Sequence, residues 1–197
     1  MRHRPLVAHH PSQRNHSDGH ELDLLRARVR NVDDLAGLSH EQLSALYAGG
    51  QPPQLGVLAG QTRGRLLSIP ALLPLRRRLG GSRLLGRSER LFDRLVAGRL
   101  MPWQGKTFAP PSEPKRTRGH NRVLGRELLP FEAHVEKSAL DHQPTLLIRY
   151  ELPENPTPLR RLRDELREIT RGIWMGPAYV QGPSGPRVLL WFALQKA

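Results

Sequence analysis

The sequence predicts a mainly β protein built from an antiparallel meander, with short helices ahead of it. Three observations predict this. From residue 103 onward, short runs rich in β-branched and aromatic residues are separated by proline- and glycine-bearing turns. Phe131, Ala133 and Val135 alternate with Glu132, His134 and Glu136, the period-two pattern of a strand with one buried face. Ahead of residue 58 the apolar residues recur at helical spacing instead. Short strands in such a series form an antiparallel meander, which closes into a barrel or stacks into a sandwich.

Residues 1–20 hold five histidines among Pro, Ser, Asn and Gly, too little apolar surface to offset ordering entropy, and read as a disordered tail. The spacing of His9, His10, His16 and His20 fits neither a zinc site nor a metalloprotease, so no metal is expected. Residues 21–57 read as short helices. Leu22, Leu24, Leu25 and Val29 make one stripe; Ser39 caps a second helix, with Gln42 three residues on and Leu43, Leu46 and Tyr47 following. Gly49-Gly50-Gln51-Pro52-Pro53 stops it.

The main domain is expected over 58–197. Gly60 to Leu67 reads as a strand interrupted by glycine, the mark of a bulge or close backbone approach. A helical insertion is expected at about 70–100. Within it Leu84, Leu85, Leu91, Phe92, Leu95 and Val96 form a stripe, and Arg83, Arg87, Arg90 and Arg94 lie outside it. Such a helix packs over a barrel mouth or lies on an anionic membrane. Leu146 to Tyr150 reads as a strand, and Pro153 to Pro158 as turn chemistry. Residues 160–170 are ambiguous, because Leu162, Leu166 and Ile169 suit a helix; the turns on either side assign them to the meander as a strand. Ile173–Val180 and Val188–Leu194 are the last two strands, joined by Gly182-Pro183-Ser184-Gly185-Pro186.

Composition narrows the function. The 197 residues suit one domain with a tail or a small helical appendage. With no cysteine there is no disulfide framework, thiolate metal site or cysteine nucleophile. No stretch has the roughly 18 apolar residues of a membrane-spanning helix, and the first ten residues lack the apolar run of a secretory signal. A bacterial-type, cytoplasmic protein is expected. The excess of 31 Lys+Arg over 18 Asp+Glu falls within residues 61–126, which hold 16 basic residues and three acids, Glu89, Asp93 and Glu113. Concentrated positive charge attracts polyanions. The preponderance of Arg over Lys also follows from a GC-rich genome, and Arg stems cover apolar surface while their heads stay in water.

Gly105-Lys106-Thr107 invites a phosphate-loop reading and fails it. Leu100 stands where the first glycine belongs, Pro102 has no N–H to donate, and Phe108-Ala109-Pro110-Pro111 forbids the helix that should begin at Lys106. Nucleophile-elbow, metalloprotease, dinucleotide and EF-hand spacings are likewise missing from the sequence, and no acid–base pair stands at useful spacing. Catalysis is not the expected role, and no cofactor is expected.

Gly60-Gln61-Thr62-Arg63-Gly64-Arg65, followed by Pro102-Trp103-Gln104-Gly105-Lys106-Thr107-Phe108, resembles the GXWXG-domain family of small bacterial proteins. Asp164 to Ile169 and Gly172 to Gly176 resemble its later segment, so the similarity spans about 58–195. Thr62 stands where the tryptophan of the first motif would be. The resemblance implies a small antiparallel β-barrel of lipocalin-like kind and supplies no activity.

In such a barrel Trp103, Gly105 and Phe108 mix large and absent side chains along one strand, as a tapering interior requires. Trp103 and Lys106 are three apart and face opposite ways in a regular strand; a bulge at Gly105 turns both inward. Asp164 and Arg167 carry the same parity problem. Lys106, Arg167 and Asp164 form the expected polar constellation, as a cationic site for an acidic head or as a buried ion pair that fixes register. Trp174, Tyr150, Tyr179 and Trp191 read first as core aromatics. The candidate ligand-contacting set is Arg63, Trp103, Lys106, Phe108, Tyr150, Asp164, Arg167 and Trp174. The expected function is binding of a hydrophobic small molecule, with or without an acidic head, in the barrel cavity. The alternative is a basic module that binds nucleic acid or an anionic membrane through residues 61–126. Its scarcity of aromatics there argues against a single-strand stacking platform.

Overall fold

The computed structural model describes residues 14–69 and 102–197. Eight strands pair in sequence order, each antiparallel to the next: β1 (Gly60–Ser68), β2 (Trp103–Phe108), β3 (Arg116–Val123), β4 (Arg126–Lys137), β5 (Pro144–Arg149), β6 (Leu162–Thr170), β7 (Ile173–Gly182) and β8 (Gly185–Lys196). β8 then pairs with β1, so the meander closes into a barrel rather than stacking into a sandwich. Helices α1 (Arg14–Arg28), α2 (His40–Ala48) and α3 (Leu55–Leu58) precede it, with a 3-10 turn at Val32–Leu35. Residues 14–20, expected in a disordered tail, form the start of α1 instead. The expected helical insertion at about 70–100 lies outside the described residues, as does the tail before residue 14.

Local sequence places these elements. Ser39 accepts from the Gln42 amide while the Gln42 side chain accepts from the Ser39 amide, the reciprocal cap that starts α2, and Gly49 ends it. In β4, Phe131 and Ala133 are buried, whereas Glu132 faces outward and pairs with Arg118. β6 is a strand although its apolar spacing suits a helix, because both of its faces are covered. Asp164 and Leu166 point into the barrel; Glu165, Arg167 and Ile169 point out beneath α2. Burial on two sides erases the apolar–polar alternation that would mark a strand. The continuous run Val188 to Leu194 has the same origin.

There are accordingly two cores. The inner one joins Phe108, Phe131, Leu146, Ile148, Tyr150, Leu166, Trp174, Phe192 and Leu194 within the barrel, and α3 adds Leu55 and Leu58 at the end where β1 begins. The outer core packs Val32, Leu35, Leu43, Leu46 and Tyr47 onto the outward side chains Leu67, Ile169, Ile173, Met175, Trp191 and Ala193. Trp191 and Phe192, neighbours in sequence, therefore serve different cores. At the opposite end from α3 stand Ser68, Trp103, the turn at Leu124–Gly125 and the connection from β5 to β6. Among the described residues no helix is long and apolar enough to cross a membrane.

Candidate functional site

The seam between β1 and β2 shapes the site. Their ladder consists of Gly60 with Phe108 and Gln61 with Thr107. Beyond it the Thr62 hydroxyl takes over, donating to the Lys106 carbonyl at 2.7 Å and accepting from the Lys106 amide at 3.1 Å. Gly105 has a φ of 131°, and a Cβ there would stand 2.2 Å from the Thr62 carbonyl oxygen. On its other side β2 carries a bulge: Trp103 pairs with Val123 and Gly105 with Arg122, leaving Gln104 extra. That one residue reverses the parity, so Trp103 and Lys106 both face the interior. Gly105 thus provides the expected bulge.

Lys106 is 1% exposed. Its Nζ donates to Asp164 Oδ2 at 2.8 Å, to Asn121 Oδ1 at 2.9 Å and to the Tyr150 hydroxyl. Tyr150 in turn donates to Asp164 Oδ2 at 2.7 Å. Asn121 Nδ2 donates to the Tyr150 oxygen at 3.1 Å and to the Leu129 carbonyl at 3.3 Å, and Trp103 Nε1 donates to Asn121 Oδ1 at 2.9 Å. The Lys106 ammonium also lies 5.2 to 5.8 Å from the ring centres of Trp103, Phe131, Tyr150 and Phe192, within reach of cation–π attraction. Burial pushes the Lys106 ammonium below its ordinary pKa, against the pull of Asp164. Burial, reinforced by the Asp164 charge, raises the Tyr150 phenol well above its own. Two interior atoms, Asp164 Oδ1 and Trp174 Nε1, have no hydrogen-bond partner among the described residues.

Six expected site residues, Trp103, Lys106, Phe108, Tyr150, Asp164 and Trp174, share the barrel interior. Two do not. Arg167 stays on the outer face because no bulge intervenes between it and Asp164; the β6 register shift falls after Glu168. Its guanidinium grips both Asp141 carboxylate oxygens at 2.7 Å, donates to the Tyr47 and Pro144 carbonyls, and stacks 4.2 Å from the Tyr47 ring centre. Beside it the buried Glu165 accepts from the Tyr47 hydroxyl and the Ala139 amide. These contacts clamp α2 to the barrel. Arg63 lies outside as well, because it alternates with the inward-facing Thr62 and Gly64; it meets Asp33 at 2.5 Å, and Arg65 joins the same carboxylate. Partial burial opposes ionisation of Asp33, yet the two guanidiniums hold its carboxyl below its usual pKa.

The expected cationic pair therefore does not form: Lys106 is neutralised within the barrel and Arg167 is bound elsewhere. Asn121, Thr62, Phe131 and Phe192 complete the site unannounced by the sequence reading. The signal for Asn121 was charge alternation, since Arg116, Arg118, His120 and Arg122 project from β3 between the inward Thr117, Gly119 and Asn121. Among the described residues no group of three or more His, Asp or Glu side chains is placed to hold a metal ion.

No family model matches the chain, so the GXWXG resemblance rests on the quoted residues alone. A search of curated proteins likewise finds no match. A crystal structure of a protein from Thermomonospora curvata is similar over 92% of this chain and 99% of that one, at 16% sequence identity and a TM-score of 0.48.

Proposed function

We propose that this protein binds a hydrophobic small molecule inside its barrel, with the polar end of the guest at the Lys106–Asp164–Tyr150–Asn121 cluster. The observation that carries this reading is a mismatch within the inner core. An apolar, aromatic wall encloses two buried polar atoms, Asp164 Oδ1 and Trp174 Nε1, with no partner among the described residues. An unmet buried polar group costs about 1–3 kcal/mol, and a guest that meets it recovers that energy. Apolar walls with a few convergent polar groups are the usual make-up of small-molecule sites. The cytoplasmic compartment expected from the sequence belongs to the same proposal.

Titration with N-phenyl-1-naphthylamine, a neutral fluorescent hydrophobe, tests it. Saturable binding of one probe per chain, with quenching of tryptophan emission, is the expected result. Absence of saturable binding by a folded sample overturns the proposal. The polyanion reading has less behind it: of the basic residues described between 61 and 126, Arg63, Arg65, Lys106, Arg116 and Arg118 are already paired with acids. Salt-sensitive binding to DNA, RNA or anionic vesicles, without probe binding, would put that reading in its place.

A further inference from the structure

Lys106 stands directly opposite Asn121 across the β2–β3 ladder. Its Nζ lies 2.9 Å from the Asn121 carbonyl oxygen Oδ1 and 2.8 Å from Asp164 Oδ2. The neighbours fix which way round the Asn121 amide sits. Oδ1 accepts from two groups that can only donate, Lys106 Nζ and Trp103 Nε1, while Nδ2 donates to the Leu129 carbonyl, which can only accept. An amine, a carboxamide and a carboxyl group thus meet in one buried cluster, beside the rings of Trp103, Phe131, Tyr150 and Phe192. The cluster is closely packed, and its own members can react with one another.

An amine displaces an amide nitrogen only when it is neutral, is held against the carbonyl group, and the leaving nitrogen receives a proton. Each condition has its residue here. Burial favours the neutral amine of Lys106, and Asp164 is the acceptor for its proton; transfer between them replaces two buried charges by two neutral groups. The carbonyl carbon is one bond beyond the oxygen that Nζ already touches. The Trp103 N–H, 2.9 Å from Oδ1, is placed to stabilise the negative charge that develops on that oxygen. Tyr150 completes the route. Its hydroxyl donates to Asp164 Oδ2 at 2.7 Å and accepts from Asn121 Nδ2 at 3.1 Å, so it bridges the acid and the nitrogen that must leave.

We infer that the folded chain joins Lys106 to Asn121 by an isopeptide bond between β2 and β3, with Asp164 and Tyr150 as the acid–base groups. The bond from Nζ to the Asn121 Cγ forms, and the bond from Cγ to Nδ2 breaks. Of the three protons on the Lys106 ammonium, one passes to Asp164 and on through Tyr150 to Nδ2, a second takes its place on Asp164, and the third stays on the new amide. Nδ2 departs as ammonia, and no other reactant is consumed. The Lys106–Asp164 ion pair is the state before the bond forms. β2 pairs with β1 at only two positions, so a covalent tie to β3 would secure the strand where its other seam is short. The reaction needs no guest, and the probe titration above does not bear on it.

Intact-mass spectrometry of the full chain, denatured after storage in its folded state, reads the bond directly. The expected mass lies below the sequence mass by about 17 Da, the ammonia released when an amine displaces an amide nitrogen. Tryptic digestion should then leave the chain uncut after Lys106 and yield one branched peptide that holds both Lys106 and Asn121. Lys106→Arg removes the nucleophile and Asp164→Asn the acid, and each variant should keep its own full sequence mass. A wild-type chain that is folded by circular dichroism and has its full sequence mass overturns the inference. So does a loss of about 18 Da, the water that condensation of Lys106 with Asp164 would release instead. Ammonia loss that persists in Lys106→Arg, as from a succinimide elsewhere in the chain, overturns it too, and ammonia loss in Asp164→Asn overturns the acid–base route. The wild-type mass and the branched peptide decide the matter without either variant.

Discussion

Lys106 and Asp164 are held by each other and by neutral partners, so losing one strands the other. Lys106→Met should leave the Asp164 carboxylate buried without its cation and lower unfolding stability by about 3–5 kcal/mol in a urea titration. The double variant Lys106→Met/Asp164→Leu removes both charges and should recover at least half of that loss. Equal losses in the two proteins would show that the ion pair is not the source of the effect. The sequence identified both residues by type, and the parity argument named the device, a bulge at Gly105, that lets Lys106 and Trp103 share a face. It mistook Arg167 for a third member. A guanidinium three residues from Asp164 on a regular strand points the other way, and the Asp141 loop that receives it is 26 residues distant in sequence. No local pattern encodes that meeting.

Among the elements, β2 depends most on a single backbone feature. At Gly105 a Cβ would collide with the Thr62 carbonyl, and the φ of 131° is one that L side chains rarely adopt. Gly105→Ala should therefore cost about 3 kcal/mol or more and disturb the seam with β1. Gly125, at the β3–β4 turn, also has a positive φ of 75°, but no neighbour lies within 4 Å of its would-be Cβ. Gly125→Ala should cost only the left-handed conformation, about 1 kcal/mol. Comparing the two thermal midpoints checks the distinction, and equal losses would rule out the collision as the cause. At α2, Ser39→Ala removes the side-chain oxygen that accepts from the Gln42 amide and should cost about 1 kcal/mol, read from the shift in the chemical-unfolding midpoint. The strands with alternating or continuous apolar runs were legible in the sequence, as was this cap. β3 was not singled out, because its inward residues Thr117, Gly119 and Asn121 are small or polar. Gly119 pairs with Phe131 across the ladder, and that ring fills the space its own side chain leaves.

The whole molecule carries a signature at alkaline pH. Its three tyrosines, Tyr47, Tyr150 and Tyr179, are all buried, one within the barrel and two on the outer side of the wall. Burial, reinforced by Glu165 for Tyr47 and Tyr179 and by Asp164 for Tyr150, raises all three phenols above the ordinary value. The unfolded chain releases these protons near pH ~10, before the folded one does. Stability is therefore fully present below that pH and falls above it, by about 1.4 kcal/mol per pH unit for each phenol. Lys106 acts in the opposite sense, because its folded value is depressed. Its contribution rises with pH only as far as the ordinary lysine value of ~10.4, and beyond that nothing from it offsets the tyrosines. Tyrosinate absorbance should accordingly stay silent until the far-ultraviolet circular dichroism collapses, the two moving in one cooperative step. Phenolate that appears gradually while the dichroism holds would show these hydroxyls to be open to solvent.

The sequence by itself determined where most of the strands and their turns fall, β3 apart, where α2 begins and ends, and which residue types were available for a site. These are properties of near neighbours: periodicity, capping and the conformational preferences of Gly and Pro act over a few residues. Only the tertiary structure decided that the meander closes on itself, that a helical cover gives the barrel wall a second buried face, and which charges meet. Those outcomes follow from register, and register is set by packing across strands. A single extra residue in β2 turned Lys106 inward, and the lack of one in β6 left Arg167 outside.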